Sequence, residues 1–149
     1  MVESRLLESW RWCWRVGFAP QFGWGELSAL AEALRENTSR LIQGATTDPP
    51  PICYVNDWPC VGACAVAFPG WQAGDAVEAV ESNFHRRVIR ADERLGGEGR
   101  ESRHFLNWFD ETPREEMRAA LLAEVELALA EMFVSGGGPV AAHDLGGES

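Results

Sequence analysis

The sequence predicts an α+β fold of about four helices packed on a small mixed or antiparallel sheet of about three strands. Four stretches place apolar residues at helical spacing, and short apolar runs bounded by Pro, Gly, Asn and Asp indicate strands. The 149 residues, 46% of them hydrophobic, suit one domain with a packed core. We therefore expect a globular domain over residues 1–134 and a flexible Gly-rich tail over residues 135–149.

Two helices are predicted near the N-terminus. The first ends near Gly17 and Pro20, and its apolar face is formed by Leu6, Leu7, Trp10 and Trp14, with Cys13 as a further candidate. The second is ended by the polar run at residues 36–39, and its apolar face is formed by Leu27, Leu30, Ala31 and Leu34. Because a short connection joins them, we expect these two helices to form an antiparallel pair.

Residues 40–74 predict a hairpin. The proline run at residues 49–51 enforces an extended entry, and residues 52–55 and 61–68 then read as strands. The second run is apolar on both faces, as in a central strand. The connection at residues 56–59 has turn chemistry.

The third helix is expected to begin at Asp75, because Asp75 and Glu78 form a variant of the capping box. Gly96 and Gly97 end it, and its apolar stripe is formed by Val77, Val80, Phe84, Val88, Ala91 and Leu95. The aromatic run at residues 103–109 is predicted to be the third strand. Its residues Phe105, Trp108 and Phe109 would also suit a helix.

The last helix has a clear start, with Thr112 as N-cap, Pro113 at the first helical position and Glu115 three residues after the cap. Its buried face is predicted to comprise Met117, Leu121, Val125, Ala128, Leu129 and Met132. After Ser135 the chain is Gly-rich and polar, which is the reason for predicting a tail.

Composition excludes several functional classes. All thirteen basic residues are Arg, so the chain lacks the amine needed for a Schiff base, for pyridoxal phosphate or for a P-loop. A lysine-free chain rich in Ala and Gly is typical of a GC-rich bacterial genome. The net charge of −10 disfavours nucleic acid and anionic membranes. Charged residues interrupt residues 1–18, and no uncharged apolar stretch could span a bilayer, so we expect a cytoplasmic protein.

The Cys and His residues favour neither a metal site nor nucleophilic catalysis. Cys60 and Cys64 would lie about 13 Å apart on a strand, too far to share an ion. We expect reduced, buried thiols and no cofactor; the cysteines are Cys13, Cys53, Cys60 and Cys64. No nucleophile motif accompanies His85 or His104, and His85 is spaced to pair with Glu81 on a helix. His143 falls in the tail.

Charge is distributed unevenly between the last two predicted helical regions. Six arginines cluster on and after the third helix: Arg86, Arg87, Arg90, Arg94, Arg100 and Arg103. Residues 110–131 contain seven acids and two arginines, which gives −5. These are either ordinary solvated faces with ion pairs inside each helix, or complementary surfaces that meet within a monomer or between subunits. The second alternative, with the abundant Trp, predicts a homodimer.

If a binding site exists, we expect it at one edge of the sheet. Strands at residues 61–68 and 103–109 would, if antiparallel, bring together two carboxylates, a guanidinium, an amide and two indoles, a mixture that ligand pockets use. The residues are Asp57, Trp58, Asn107, Trp108, Asp110 and Arg114. The alternative is structural: turn chemistry, helix capping and core packing also explain them.

Several short stretches together resemble a group of small uncharacterised proteins from planctomycete-type bacteria. They are RLIQGATT at residues 40–47, DWP at 57–59, GACA at 62–65, FLNWFD at 105–110 and TPR at 112–114. The resemblance spans most of residues 20–131. It implies a bacterial origin and carries no activity, ligand or catalytic residue.

Two functional hypotheses follow. The first is a noncatalytic interaction module, such as a stress, regulatory or immunity-type partner, because the chain is small and acidic and has no catalytic motif. The alternative is a small-ligand-binding protein or enzyme whose site is built from loop residues. A deep pocket with several ionisable groups would favour the second hypothesis, and a flat apolar patch would favour the first.

Overall fold

A computed structural model describes residues 8–48, 59–71, 74–96 and 99–134. Within these ranges the fold is mainly α with a small two-stranded antiparallel sheet, so the α+β prediction holds at that coarse level. The helices are α1 (Ser9–Trp12), α2 (Trp24–Glu36), α3 (Val77–Leu95), α4 (Arg103–Glu111) and α5 (Arg114–Val134). The strands are β1 (Thr47–Asp48) and β2 (Gly62–Ala63).

Helix α1 continues without a break as a π-helical stretch, Cys13–Phe18, and a 3-10 turn, Ala19–Gln21; together they form the first helical segment. Trp10, Cys13 and Trp14 are buried as predicted, whereas the predicted Leu6 and Leu7 lie outside the described residues. The segment ends where the chain becomes extended at Phe22, two residues after Pro20.

Helix α2 buries the predicted Leu27, Leu30, Ala31 and Leu34. It ends at Asn37, whose φ of 54° is the left-handed conformation that Asn tolerates at a helix end. The predicted antiparallel pairing of the first two helices is not the main packing: α2 packs chiefly on α5, and the first helical segment packs chiefly on α3. Burial of apolar surface between helices distant in the chain therefore decided which helices pack together.

The sheet is smaller than predicted. Strand β1 pairs antiparallel with β2, with Thr47 opposite Ala63. The predicted strand at residues 61–68 is wrong beyond Ala63, because the chain turns and the amide of Phe68 donates to the carbonyl of Cys64 at 2.8 Å. Pro69, which has no N–H, follows in a 3-10 turn. The predicted strand at residues 52–55 lies outside the described residues.

Helix α3 begins at Val77 with Ala76 as its N-cap and no side-chain cap bond, so the predicted cap at Asp75 is wrong. The predicted stripe is confirmed: its six residues are buried or half-buried. The helix ends at Gly96, where a φ of 72° suits glycine.

The predicted strand at residues 103–109 is wrong, because these residues form α4. Phe105 and Phe109 are one helical turn apart, and both are buried against the core. Helix α5 begins at Arg114, directly after Pro113, and buries Met117, Leu121 and Val125 as predicted. The predicted tail lies outside the described residues.

One aromatic cluster links α4 to the first helical segment. The ring centroid of Phe105 lies 5.2 Å from that of Trp14 and 5.3 Å from that of Phe18. Gly17 allows α3 to approach this segment closely, because a Cβ added at Gly17 would lie 3.1 Å from Leu95 and 3.2 Å from Ala91. The aromatic content of the sequence is thus used largely in the core.

Candidate functional site

The structure describes four of the six predicted site residues: Asn107, Trp108, Asp110 and Arg114. Trp108 stacks on Trp10, with ring centroids 3.6 Å apart and an interplanar angle of 3°. Asn107 is exposed on α4. Asp57 and Trp58 lie outside the described residues.

Asp110 and Arg114 form hydrogen bonds to the segment that follows α2. Asp110 Oδ1 accepts a hydrogen bond from the amide of Gly44 at 2.9 Å. The guanidinium of Arg114 donates to Asn37 Oδ1 at 2.7 Å and to the carbonyl of Thr38 at 3.0 Å. Trp108, Asp110 and Arg114 therefore contact three different parts of the chain.

A concavity of about 220 Å³ lies beside Asp110, between the loop that contains Gly44, the turn after β2, and helices α3 and α4; we call it the Cys64 cavity. Cys64, Phe105 and Phe109 form buried parts of its wall, and Phe84 is half-buried. Exposed Asp110 lines it too, so the carboxylate marks the solvent end.

Sequence reasoning placed Asp110 in a site but missed the aromatic wall of this cavity. The sequence pattern places Phe84 in the stripe of α3 and predicts a strand for Phe105 and Phe109. The signal available was the spacing of Phe105 and Phe109, which also suits a helix, together with the run of small residues around Cys64 that leaves space.

The described cysteines are poor nucleophiles. Cys13, Cys60 and Cys64 are buried free thiols. Burial raises the pKa of Cys13 to about 11 and the pKa of Cys64 to about 12, and it also raises the pKa of Cys60. Since the thiolate is the reactive form, these groups are inert near neutral pH.

In the described ranges no three His, Cys, Asp or Glu side chains are grouped closely enough to hold a metal ion. Cys53 and His143 lie outside those ranges. No helix in the described part of the chain is both long and apolar enough to cross a membrane.

A buried carboxylate joins α5 to the first helical segment. Glu124 is 4% exposed and accepts hydrogen bonds from Arg11 and Arg15 at 2.8–2.9 Å. Burial disfavours the charged form of Glu124, but the bonds from Arg15 and Arg11 outweigh it, so its pKa lies below its ordinary value. This titratable group is fully engaged in holding two elements together.

The outer side of α5 is largely apolar. Leu127 is 41% exposed, Phe133 62% and Val134 86%. Ala123, one turn before Leu127, and Ala130, between Leu127 and Phe133, are also exposed. We call these five residues the α5 outer face; they lie opposite the buried Met117, Leu121 and Val125.

The outer side of α3 is basic. Arg86 and Arg90 are exposed on either side of Ile89, which is 61% exposed. Arg94 is exposed one turn further and donates to the carbonyl of Val16 at 2.9 Å. We call these four residues the α3 basic face.

Comparison with protein-family models, with curated proteins and with solved structures finds no match to this chain.

Proposed function

We propose that this chain is a noncatalytic interaction module that pairs with a second copy of itself, with the α5 outer face as its principal contact surface. One observation carries the proposal: the second half of α5 exposes the large apolar residues Leu127, Phe133 and Val134, whereas in the described part of the chain the helix packs along its other side. Grouped exposed apolar residues rimmed by polar ones mark interaction sites. A partner would cover the exposed residues.

Charge favours a second copy as that partner. The α5 outer face is bordered by Glu116, Glu126 and Glu131, all exposed. Two such acidic faces would repel each other in a chain of net charge −10. The α3 basic face offers the complementary charge around an exposed apolar residue, Ile89. Pairing α5 of one copy with α3 of another therefore matches both charge and apolar surface.

The same two faces are kept apart within one molecule. The first helical segment lies between their helices: its Gly17 contacts Ala91 and Leu95 of α3, and its Arg15 binds Glu124 of α5. In a two-fold symmetric, isologous dimer the contact between α5 of one copy and α3 of the other would occur twice.

The titratable groups favour binding over catalysis. Within the described ranges, the groups with a shifted pKa are buried thiols, whose pKa is raised, or members of the ion pairs that Glu124 and Glu26 make with arginines. We would expect a catalytic acid or base to have a pKa near neutral and to line a cavity that a substrate can enter.

Sedimentation equilibrium across a protein dilution series tests the proposal. We expect a dimer that weakens as salt is raised, because part of its free energy is Coulombic. Leu127→Glu and Arg90→Glu should each shift the chain towards monomer. Val61→Glu is the matched control, since Val61 is a 59% exposed apolar residue that belongs to neither face, and it should leave the association unchanged.

A monomer at high micromolar concentration in low salt would overturn the proposal. A dimer that resists both Leu127→Glu and Arg90→Glu would overturn the assignment of the faces. Circular dichroism of each variant confirms that loss of association is not loss of folding.

A further inference from the structure

The Cys64 cavity has one apolar end and one charged end. Half-buried Phe84 and Leu106 supply its accessible apolar surface, whereas Phe105, Phe109, Ala65 and Val66 are buried within the wall. Asp110 is the one charged side chain among the described residues that line it. Ligand sites are typically built in this way, with an apolar wall and a single polar group that orients the ligand.

Among the residues that the structure describes, no arginine forms a hydrogen bond or ion pair with Asp110. Asp110 Oδ1 accepts from the amide of Gly44, and a carboxylate has capacity for further donors on its two oxygens. Burial is the main cause of the raised pKa of the Cys64 thiol, and the nearby Asp110 and Glu81 carboxylates raise it further. The local potential therefore favours a cation over an anion.

Size limits the ligand further. An apolar cavity of roughly 150 Å³ holds one benzene molecule. The Cys64 cavity, at about 220 Å³, has room for one aromatic ring and a short chain. The pKa of about 12 for the Cys64 thiol makes covalent capture by that thiol ineffective at neutral pH.

We propose that the Cys64 cavity is a noncovalent binding site for a small monocyclic aromatic amine, with the ring against Phe84 and Leu106 and the ammonium group at Asp110. The site is separate from the two faces assigned to self-association and does not depend on that proposal. The ring would be held by apolar burial, and the ammonium by a charge-assisted hydrogen bond.

Isothermal titration calorimetry with three matched probes tests the inference on the unmodified chain. Phenethylamine, 2-phenylethanol and phenylacetate share a ring and a two-carbon chain and differ in the charge of the terminal group. We expect saturable binding of phenethylamine, affinity about tenfold lower for 2-phenylethanol, and no detectable binding of phenylacetate.

Two variants place the site. Asp110→Asn keeps an oxygen that accepts the Gly44 amide while removing the charge, and it should lower the affinity for phenethylamine about tenfold. Glu111→Gln removes the neighbouring exposed acid as a matched control and should not change the affinity. Because the probe series uses the unmodified chain, the inference remains testable if a variant fails to fold.

Absence of phenethylamine binding would overturn the inference. Equal binding of 2-phenylethanol, or equal loss in Asp110→Asn and Glu111→Gln, would overturn the role of Asp110. Line broadening or shift changes confined to residues outside the cavity in an NMR titration would overturn its location.

Discussion

Arg15 and Glu124 are 109 residues apart in the chain, yet Nε of Arg15 lies 2.8 Å from Oε1 of Glu124. Nη2 of Arg15 and Nη1 of Arg11 reach the other oxygen at 2.9 Å and 2.8 Å. The carboxylate is nearly buried, so two guanidinium groups replace its water. This arrangement joins the first helical segment to α5 and makes their contact depend on the charge of Glu124.

Replacing Glu124 with Ala should destabilise the fold by about 1–3 kcal/mol, because it removes the charge-assisted hydrogen bonds that Arg11 and Arg15 donate to this carboxylate, whereas Arg11 keeps its pair with Glu8. The range is below that of a fully buried pair, since Arg15 is 42% exposed. Urea unfolding measures the change. Glu126→Ala removes an exposed pair with Arg35 and should cost under about 1 kcal/mol; equal losses would contradict the expectation.

The stability contributed by Glu124 should depend on acid pH. Its pKa in the folded chain lies below the ordinary carboxyl value of about 4.3. The unfolded chain therefore takes up the proton first as pH falls, and the contribution, full above the unfolded pKa, is lost as pH drops through the folded pKa. Unfolding free energies measured from pH 7 down should fall less steeply below about pH 4.3 in Glu124→Gln than in the wild type. Parallel curves would refute this linkage.

Gly17 should be intolerant of a larger side chain. Gly17→Val would push against Ala91 and Leu95, whose atoms already lie 3.1–3.2 Å from the position of an added Cβ, and should cost about 1–3 kcal/mol. Gly25 in α2 has open space at that position, so Gly25→Val should change stability by under about 1 kcal/mol. Thermal unfolding compares the two; a Gly17→Val chain as stable as the wild type would show that the helices separate at little cost.

Cys13 and Cys64 should resist alkylation in the folded chain. With the pKa of Cys13 at about 11 and that of Cys64 at about 12, roughly one thiol in a thousand or fewer is ionised at pH 8. Iodoacetamide labelling followed by peptide mass mapping should leave both unmodified until denaturant is added. Fast labelling of either thiol without denaturant would show that its surroundings open readily.

Arg118 should contribute to the stability of α2 as well as α5. Its guanidinium donates to the carbonyls of Leu34 at 2.8 Å and Arg35 at 2.9 Å, which belong to the last turn of α2. Charged donors at a helix C-terminus satisfy free carbonyls and complement the helix dipole. Arg118→Ala should lose about 1–3 kcal/mol in urea unfolding, and Arg103→Ala, at an exposed position on α4, should lose under about 0.5 kcal/mol. Equal values would assign Arg118 no special role.

The helices with strong local signals were predictable. The stripe of α3 and its end at Gly96 were predicted from spacing and from glycine chemistry, and the structure has both. Strand predictions failed at residues 103–109 because a short aromatic run has no periodicity that separates strand from helix. Phe105 and Phe109 form one buried side of α4, where Phe105 packs on Trp14 and Phe18, and Phe109 packs on Phe105.

The candidate site was less predictable. Asp110 was singled out because carboxylates at element ends often serve in sites, but the grouping with Trp108 and Arg114 assumed a sheet edge. In the helical arrangement the three side chains point to Trp10, Gly44 and Asn37 instead. Successive side chains differ in direction by about 100° in a helix and by about 180° in a strand. A wrong secondary-structure prediction therefore gives the wrong neighbours for every side chain of the element.

The sequence by itself determined the charge balance, the absence of lysine chemistry, the single-domain size and the extents of the helices with strong apolar periodicity, because these depend on residue identity and local spacing. Tertiary structure alone decided that α2 packs on α5, that Glu124 is buried between two arginines, and that Phe84 and Asp110 line one cavity. Those relationships join residues far apart in the chain. Because the hydrophobic effect is non-directional, the apolar pattern of one helix does not specify which other helix it packs against.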